Sequence, residues 1–335
     1  MRDGKRLFAA GAIAVVIVGC GPLSTGPIQS VASSAPTTTA AAARSVNPEG
    51  PCGTVTLAVN PWVGSEANAA VVGAVLEDEL GCTVVKRQLD DETAWQFLAS
   101  RGVDAILEVW DHDDLAAQYI AADKVAVDAG PSGTVGIIGW FVPKFFVDAN
   151  PDILTAKVDP SILNTFADEF RTPASGQKGQ LLDGDPGFVT EDAAMIRGFG
   201  LNFEVVFSGS EDATDEAIRA AIADRTPILA YYVRPHWLSS VVDLVHVELP
   251  AFTPGCNKDP DVVACDYPIY PLGKVASAKF AASGSPAFEV IKRFSWTNED
   301  QEVVAASIAD GHLSADAAAR LWLDANPERW RAWLP

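Results

Sequence analysis

Large aromatic side chains recur where strands are predicted to end. Trp62 follows the β-rich run Thr54–Val59, Trp110 follows Asp104–Val109, and Tyr231 and Tyr232 close Ile228–Tyr232. Trp140 sits in the apolar run Val135–Val142, directly after Gly139. Any one of them reads equally well as core filling, because aromatics supply much of a protein interior. Together, at the carboxyl ends of strands where open α/β sheets bind ligands, they read as walls of one pocket. Such walls suit a quaternary ammonium, which has no proton to donate and is held by shape and by cation–π attraction, about 2 kcal/mol or more when desolvated. Glu66, Glu108 and Asp111 stand near enough in sequence to add negative potential.

The elements that must position these residues alternate. A strand over Thr54–Val59 leads to a helix over Glu66–Leu80, with Ser65 as its expected N-cap. Strands at Thr83–Lys86 and Asp104–Val109 bracket a helix over Glu92–Ser100, and another helix is expected over Asp113–Ala122. Farther on come helix Thr190–Phe199, strand Phe203–Phe207, helix Thr214–Arg225 and strand Ile228–Tyr232. This alternation predicts α/β architecture with largely parallel sheets. From Ser285 the pattern is helical, with Ser314 capping Ala315–Ala325 and Pro327 stopping it.

Other chemistry finds little support. The sequence has no G-x-S-x-G, G-x-G-x-x-G or Walker motif. Asp111-His112-Asp113-Asp114 reads better as acids opening a helix than as a metal site. Four scattered histidines give no visible catalytic pair, so a binding protein without cofactor or metal is expected rather than an enzyme. A net charge of −20 argues against nucleic acid as a partner, since phosphate binding needs clustered Lys and Arg.

The N-terminus carries an address. Arg2, Lys5 and Arg6 precede the apolar and glycine run Leu7–Val18, and Gly19 then precedes Cys20. Residues 1–19 read as an export signal, too short to span a bilayer. Residues 20–51 are rich in Ser, Thr, Ala and Pro and read as a flexible linker; a coil of this length averages roughly 30 Å end to end. The 284 residues from Cys52 to Pro335 exceed what one core usually serves, so two lobes are expected. Cys52 with Cys82 and Cys256 with Cys265 form local pairs that favour disulfides in an oxidising compartment over a zinc site.

A series of motifs then resembles the solute-binding lipoproteins of glycine betaine, proline betaine and choline ABC importers. It comprises Asn60-Pro61-Trp62, Asp104 through Trp110, Gly139 through Lys144, Asp185-Pro186-Gly187-Phe188, Gly209-Ser210-Glu211, Tyr231 through Trp237, Cys265 through Pro268, and the ending Trp322 to Leu334. Ile17-Val18-Gly19-Cys20 likewise resembles a lipobox, which implies lipidation of Cys20 and tethering to the extracytoplasmic face of the cell membrane. The resemblance implies a two-lobed periplasmic-binding-protein (type II) fold, lobe I being residues 52–136 and 247–335 and lobe II residues 137–246. It implies capture of a small zwitterionic or cationic ligand, glycine betaine-like or alternatively choline- or carnitine-like, and delivery to an ABC permease by a monomeric receptor; a ligand sensor is the other reading. Trp62, Trp110, Tyr231 and Tyr232 fall near the family's cage positions, His236 on its carboxylate-binding histidine, and Trp140 on the same rim. The amides at Gly64 and Ser65 would form an anion site. Val233 and Phe188 stand where many relatives have cage tryptophans.

Overall fold

The computed structural model describes residues 52–335 except 101, 111, 188 and 189. The expected signal segment and the whole linker with Cys20, together with Asp111 and Phe188, lie outside the described residues.

Among the described residues nine strands form one sheet: β1 (Thr54–Val59), β2 (Thr83–Gln88), β3 (Ala105–Val109), β4 (Ala126–Pro143), β5 (Gly179–Asp183), β6 (Phe203–Phe207), β7 (Ala230–Arg234), β8 (Leu244–His246) and β9 (Ile269–Ser277). Their order is β2-β1-β3-β9-β4-β7-β5-β6, with β8 on β4. Pairing is parallel at β1/β2 and β1/β3, and again at β5/β6 and β5/β7. Antiparallel pairs join the two halves, β3 to β9, β9 to β4 and β4 to β7. The parallel units match the sequence expectation; the antiparallel centre built from β9 does not appear in it.

The long strand β4 is shared. Its first part pairs β9 from Ala126 to Ile137, and its last part pairs β7 and β8. The register slips around Gly130 and again between Pro131 and Val135. Gly133 allows that turn, with φ of 88° and no room for a Cβ, which would lie 2.5 Å from the Trp296 carbonyl oxygen.

Two main cores follow. In the first, the helix Val63–Leu80 is buried on nearly every side, as its run of Ala and Val requires. It packs between β1 and β3 and the C-terminal helices, through Val290, Val304, Ala318 and Trp322. The second core gathers Trp140, Phe146, Phe170, Leu181, Met195 and Phe203 with Val247, Leu249, Val263, Cys265 and Tyr267.

Both disulfides are formed. Cys52–Cys82 ties the starts of β1 and β2, whose parallel register sets Thr54 beside Thr83. Cys256–Cys265 closes a surface loop. Two local expectations change. The N-cap of the first helix is Trp62, which makes no side-chain cap, and Ser65 lies inside the first turn, its Oγ accepting from the Asn60 amide at 2.9 Å. The helix expected over Asp113–Ala122 is α-helical only to Leu115 and continues as a π-helix over Ala116–Ala122.

Candidate functional site

Tyr231 and Tyr232 are consecutive on β7 and so turn to opposite faces of the sheet. Tyr231 packs edge-on against Tyr267, ring centroids 6.0 Å apart, and stays partly open. Tyr232 is 4% exposed and packs against Phe141 and His236. Its hydroxyl meets His236 Nδ1 at 2.7 Å. Both residues line a cavity of about 220 Å³ with Val233, Gly184, Glu211, Thr214, Asp215 and His236.

The helix Glu211–Asp224 supplies the acidic wall. Ser210 caps it by accepting from the Ala213 amide at 3.2 Å, and Glu211 and Asp215, four residues apart, face His236 together. The His236 ring accepts at Nδ1 from the Leu238 amide at 3.2 Å, which places its proton on Nε2. Nε2 gives that proton to Glu211 at 2.8 Å, with Asp215 at 3.7 Å. The three ligand-type atoms lie within 4.8 Å of one another, as a metal site would need. A metal on Nε2, however, would require the proton on Nδ1, where the Leu238 amide already points. The cluster fits a carboxylate-anchored imidazole instead. The hydrogen bond from His236 holds the Glu211 pKa below the ordinary value, whereas burial pushes Asp215 up to about 6.

The tryptophans at the ends of β1 and β3 are organised by Glu108. Its carboxylate, 1% exposed, accepts at Oε1 from the indole N–H of Trp62 at 2.9 Å and of Trp110 at 2.8 Å. Asn68 and Gln301 both donate to Oε2. Trp110 lies over Gly136, where a Cβ would come within 2.5 Å of the ring, and tilts against Tyr270 at 6.3 Å. Gly136, Ile138 and Trp140 share one face of β4, and the register pairs Ile138 with Val233 and Trp140 with Tyr231. Trp110 and Tyr231 therefore sit over the same face of the sheet.

The remaining candidates occupy different settings. Trp140 is 1% exposed and donates its N–H to Asp192 at 2.8 Å, so it is floor rather than open wall. Asp192 also accepts from the Tyr267 hydroxyl at 2.8 Å, and burial pushes its pKa up to about 7. Gly64 faces the Gln301 side chain, whose Nε2 would stand 2.4 Å from a Cβ. Ser65 is buried with its hydroxyl on Asn60. Sequence reasoning missed Asp215, Asn68, Gln301 and Tyr270. Of these only Asp215 left a signal, its spacing of four from Glu211 on one helix.

A protein-family profile for the substrate-binding domain of ABC-type glycine betaine transport systems matches residues 53–325. A trimethylamine N-oxide-binding protein of Pelagibacter ubique is 24% identical over 286 residues, covering 82% of this chain and 89% of that protein. Lactococcal OpuAC, solved closed with glycine betaine, superposes with a TM-score of 0.58 at 20% identity, over 84% of this chain and all of that one. A choline-binding protein of an ABC transporter, solved with choline, gives 0.58 at 18% identity, over 84% and 91%. The fold is thus the two-lobed α/β fold of such receptors. The chain belongs to the family of substrate-binding domains of ABC-type glycine betaine transport systems, which are solute receptors.

Proposed function

We propose that the ligand is a small quaternary ammonium solute held between Trp62 and Trp110 on one lobe and Tyr231 on the other, with Tyr232 positioning His236. The observation that carries this reading is the common face: Trp110 over Gly136 and Tyr231 beside Trp140, on one side of the sheet. No lysine or arginine lines the cavity among the described residues, and Glu211 and Asp215 make it acidic. Closure of the lobes would desolvate the ammonium between the rings, where cation–π attraction is strongest. Calorimetric titration with choline, glycine betaine, proline betaine, carnitine, trimethylamine N-oxide and proline tests it. Binding of at least one quaternary ammonium with no response to proline is expected; no binding to any of them overturns the reading.

Within that class a choline-like ligand is favoured over glycine betaine by one observation. His236 gives its Nε2 proton to Glu211, so a ligand carboxylate at that end would meet two acids rather than a donor. A betaine must place its carboxylate at the uncapped start of the helix Val63–Leu80, where Gln301 lies against Gly64.

We also infer a monomeric receptor tethered through lipidated Cys20, its two lobes crossing at β4 near residue 137. We place the return crossing at β9 rather than near residue 247, because Val247 through Tyr267 pack in the second core. The lipobox-like Ile17–Cys20 and the long polar linker support the tether. Release of a Cys20→Ser variant from the membrane fraction is expected; retention overturns the tether.

A further inference from the structure

Glu108 is a buried carboxylate without a cationic partner among the described residues; burial pushes its pKa up, and its four hydrogen-bond donors pull the other way. Its two oxygens accept from Trp62, Trp110, Asn68 and Gln301, all through N–H groups. An indole can only donate, so Oε1, which takes both indoles, is an acceptor in every arrangement. Among the described residues no lysine, arginine or histidine forms an ion pair with Glu108. Burying a carboxylate is costly unless it is hydrogen-bonded and its charge is met. Here the hydrogen bonds are present and the charge is not met.

The two donors on Oε1 are the tryptophans that the proposed site uses. A negative charge at an indole N–H draws the proton toward itself and pushes electron density onto the ring, which strengthens its attraction for a cation over its face. The same bonds fix the orientation of both rings, as outer partners fix metal-binding imidazoles. We propose that Glu108 is the specificity-determining residue of the site: it orients Trp62 and Trp110 and supplies, through them, the charge that makes the site prefer a cation to a neutral molecule of the same shape. This rests on the quaternary-ammonium reading above and deepens it.

The test compares choline with its neutral carbon analogue, in which carbon replaces nitrogen and the shape is kept. Wild-type protein should bind choline at least about a hundredfold more tightly than the analogue. In Glu108→Gln, choline affinity should fall about tenfold or more while that of the analogue changes less than about threefold. Equal losses for both would show that Glu108 only shapes the site and would overturn the inference, as would unchanged choline affinity. A wild-type protein that binds no quaternary ammonium removes the ligand reading itself, a separate outcome that takes this inference with it. If Glu108→Gln does not fold, infrared spectra of wild-type protein carrying labelled glutamate decide: ionised glutamate only is expected at neutral pH, and a buried protonated glutamic acid band overturns the inference.

Discussion

Arg234, the last residue of β7, meets Glu302 in a two-point bridge, Nε to Oε1 at 2.8 Å and Nη2 to Oε2 at 2.7 Å. Glu302 is almost fully buried and sits on the helix Asn298–Ala309 beside Gln301, which reaches Glu108. One helix turn therefore touches both the strand that carries Tyr231 and the carboxylate that holds the tryptophans. Arg–carboxylate pairs of this form are geometrically specific.

Breaking that bridge from one side should be costly. Arg234→Met leaves Glu302 buried without its cation and should lower stability by about 3 kcal/mol. Arg234→Met with Glu302→Leu should restore much of the loss, because a matched apolar pair leaves no orphan charge. Chemical denaturation of the four proteins measures the coupling.

Gly136→Ala should weaken ligand binding without unfolding the chain. The added methyl would enter the Trp110 ring, which is held between Gly136 and Tyr270 and tied at its N–H, so the ring must leave its place. A loss of affinity of about tenfold, with a melting temperature lowered by only a few degrees, is expected from titration and thermal denaturation.

How much of this was readable in the sequence depends on distance along the chain. Cys52 and Cys82 could be paired because each precedes a strand, and parallel neighbours start together. The aromatic set was visible because strand ends are visible. What was hidden came from long-range pairing. β9, drawn from residues 269–277, enters between β3 and β4, and no local pattern announces that. Trp140 looked like a rim residue, but only the tertiary fold supplies Asp192 to its N–H and closes the core around it. Tyr231 and Tyr232 do line one cavity, but adjacent strand residues must diverge, and which of them turns to Phe141 and His236 is set only by the tertiary fold. Glu108 was legible as charge and not as a hub, since its four partners come from positions 62, 68, 110 and 301.

Asp192 should make stability depend on pH. Burial raises its folded pKa to about 7, so between the unfolded value near 4 and that point the folded state holds a proton that the unfolded state has released. Stability contributed by this group is therefore greatest in acid and is lost as pH rises through about 7. Asp192→Asn keeps an oxygen for Trp140 and Tyr267 and removes the charge. It should flatten this part of the profile and raise stability at pH near 8 by up to about 4 kcal/mol, read from denaturation at a series of pH values.

Loss of the Cys52–Cys82 bridge should matter more than loss of Cys256–Cys265. The first closes a separation of 30 residues and the second one of 9. Chain entropy assigns about 3.5 and about 2.5 kcal/mol to loops of these sizes. Paired alanine substitutions, compared by denaturation, should rank in that order.

A crystal structure of the protein with choline tests the central claim most directly. The trimethylammonium group is expected within about 6 Å of the ring centroids of Trp62, Trp110 and Tyr231, with the hydroxyl directed to Glu211 or Asp215. An ammonium seated away from these rings, or one that leaves the indole pair on Glu108 out of contact, would contradict it.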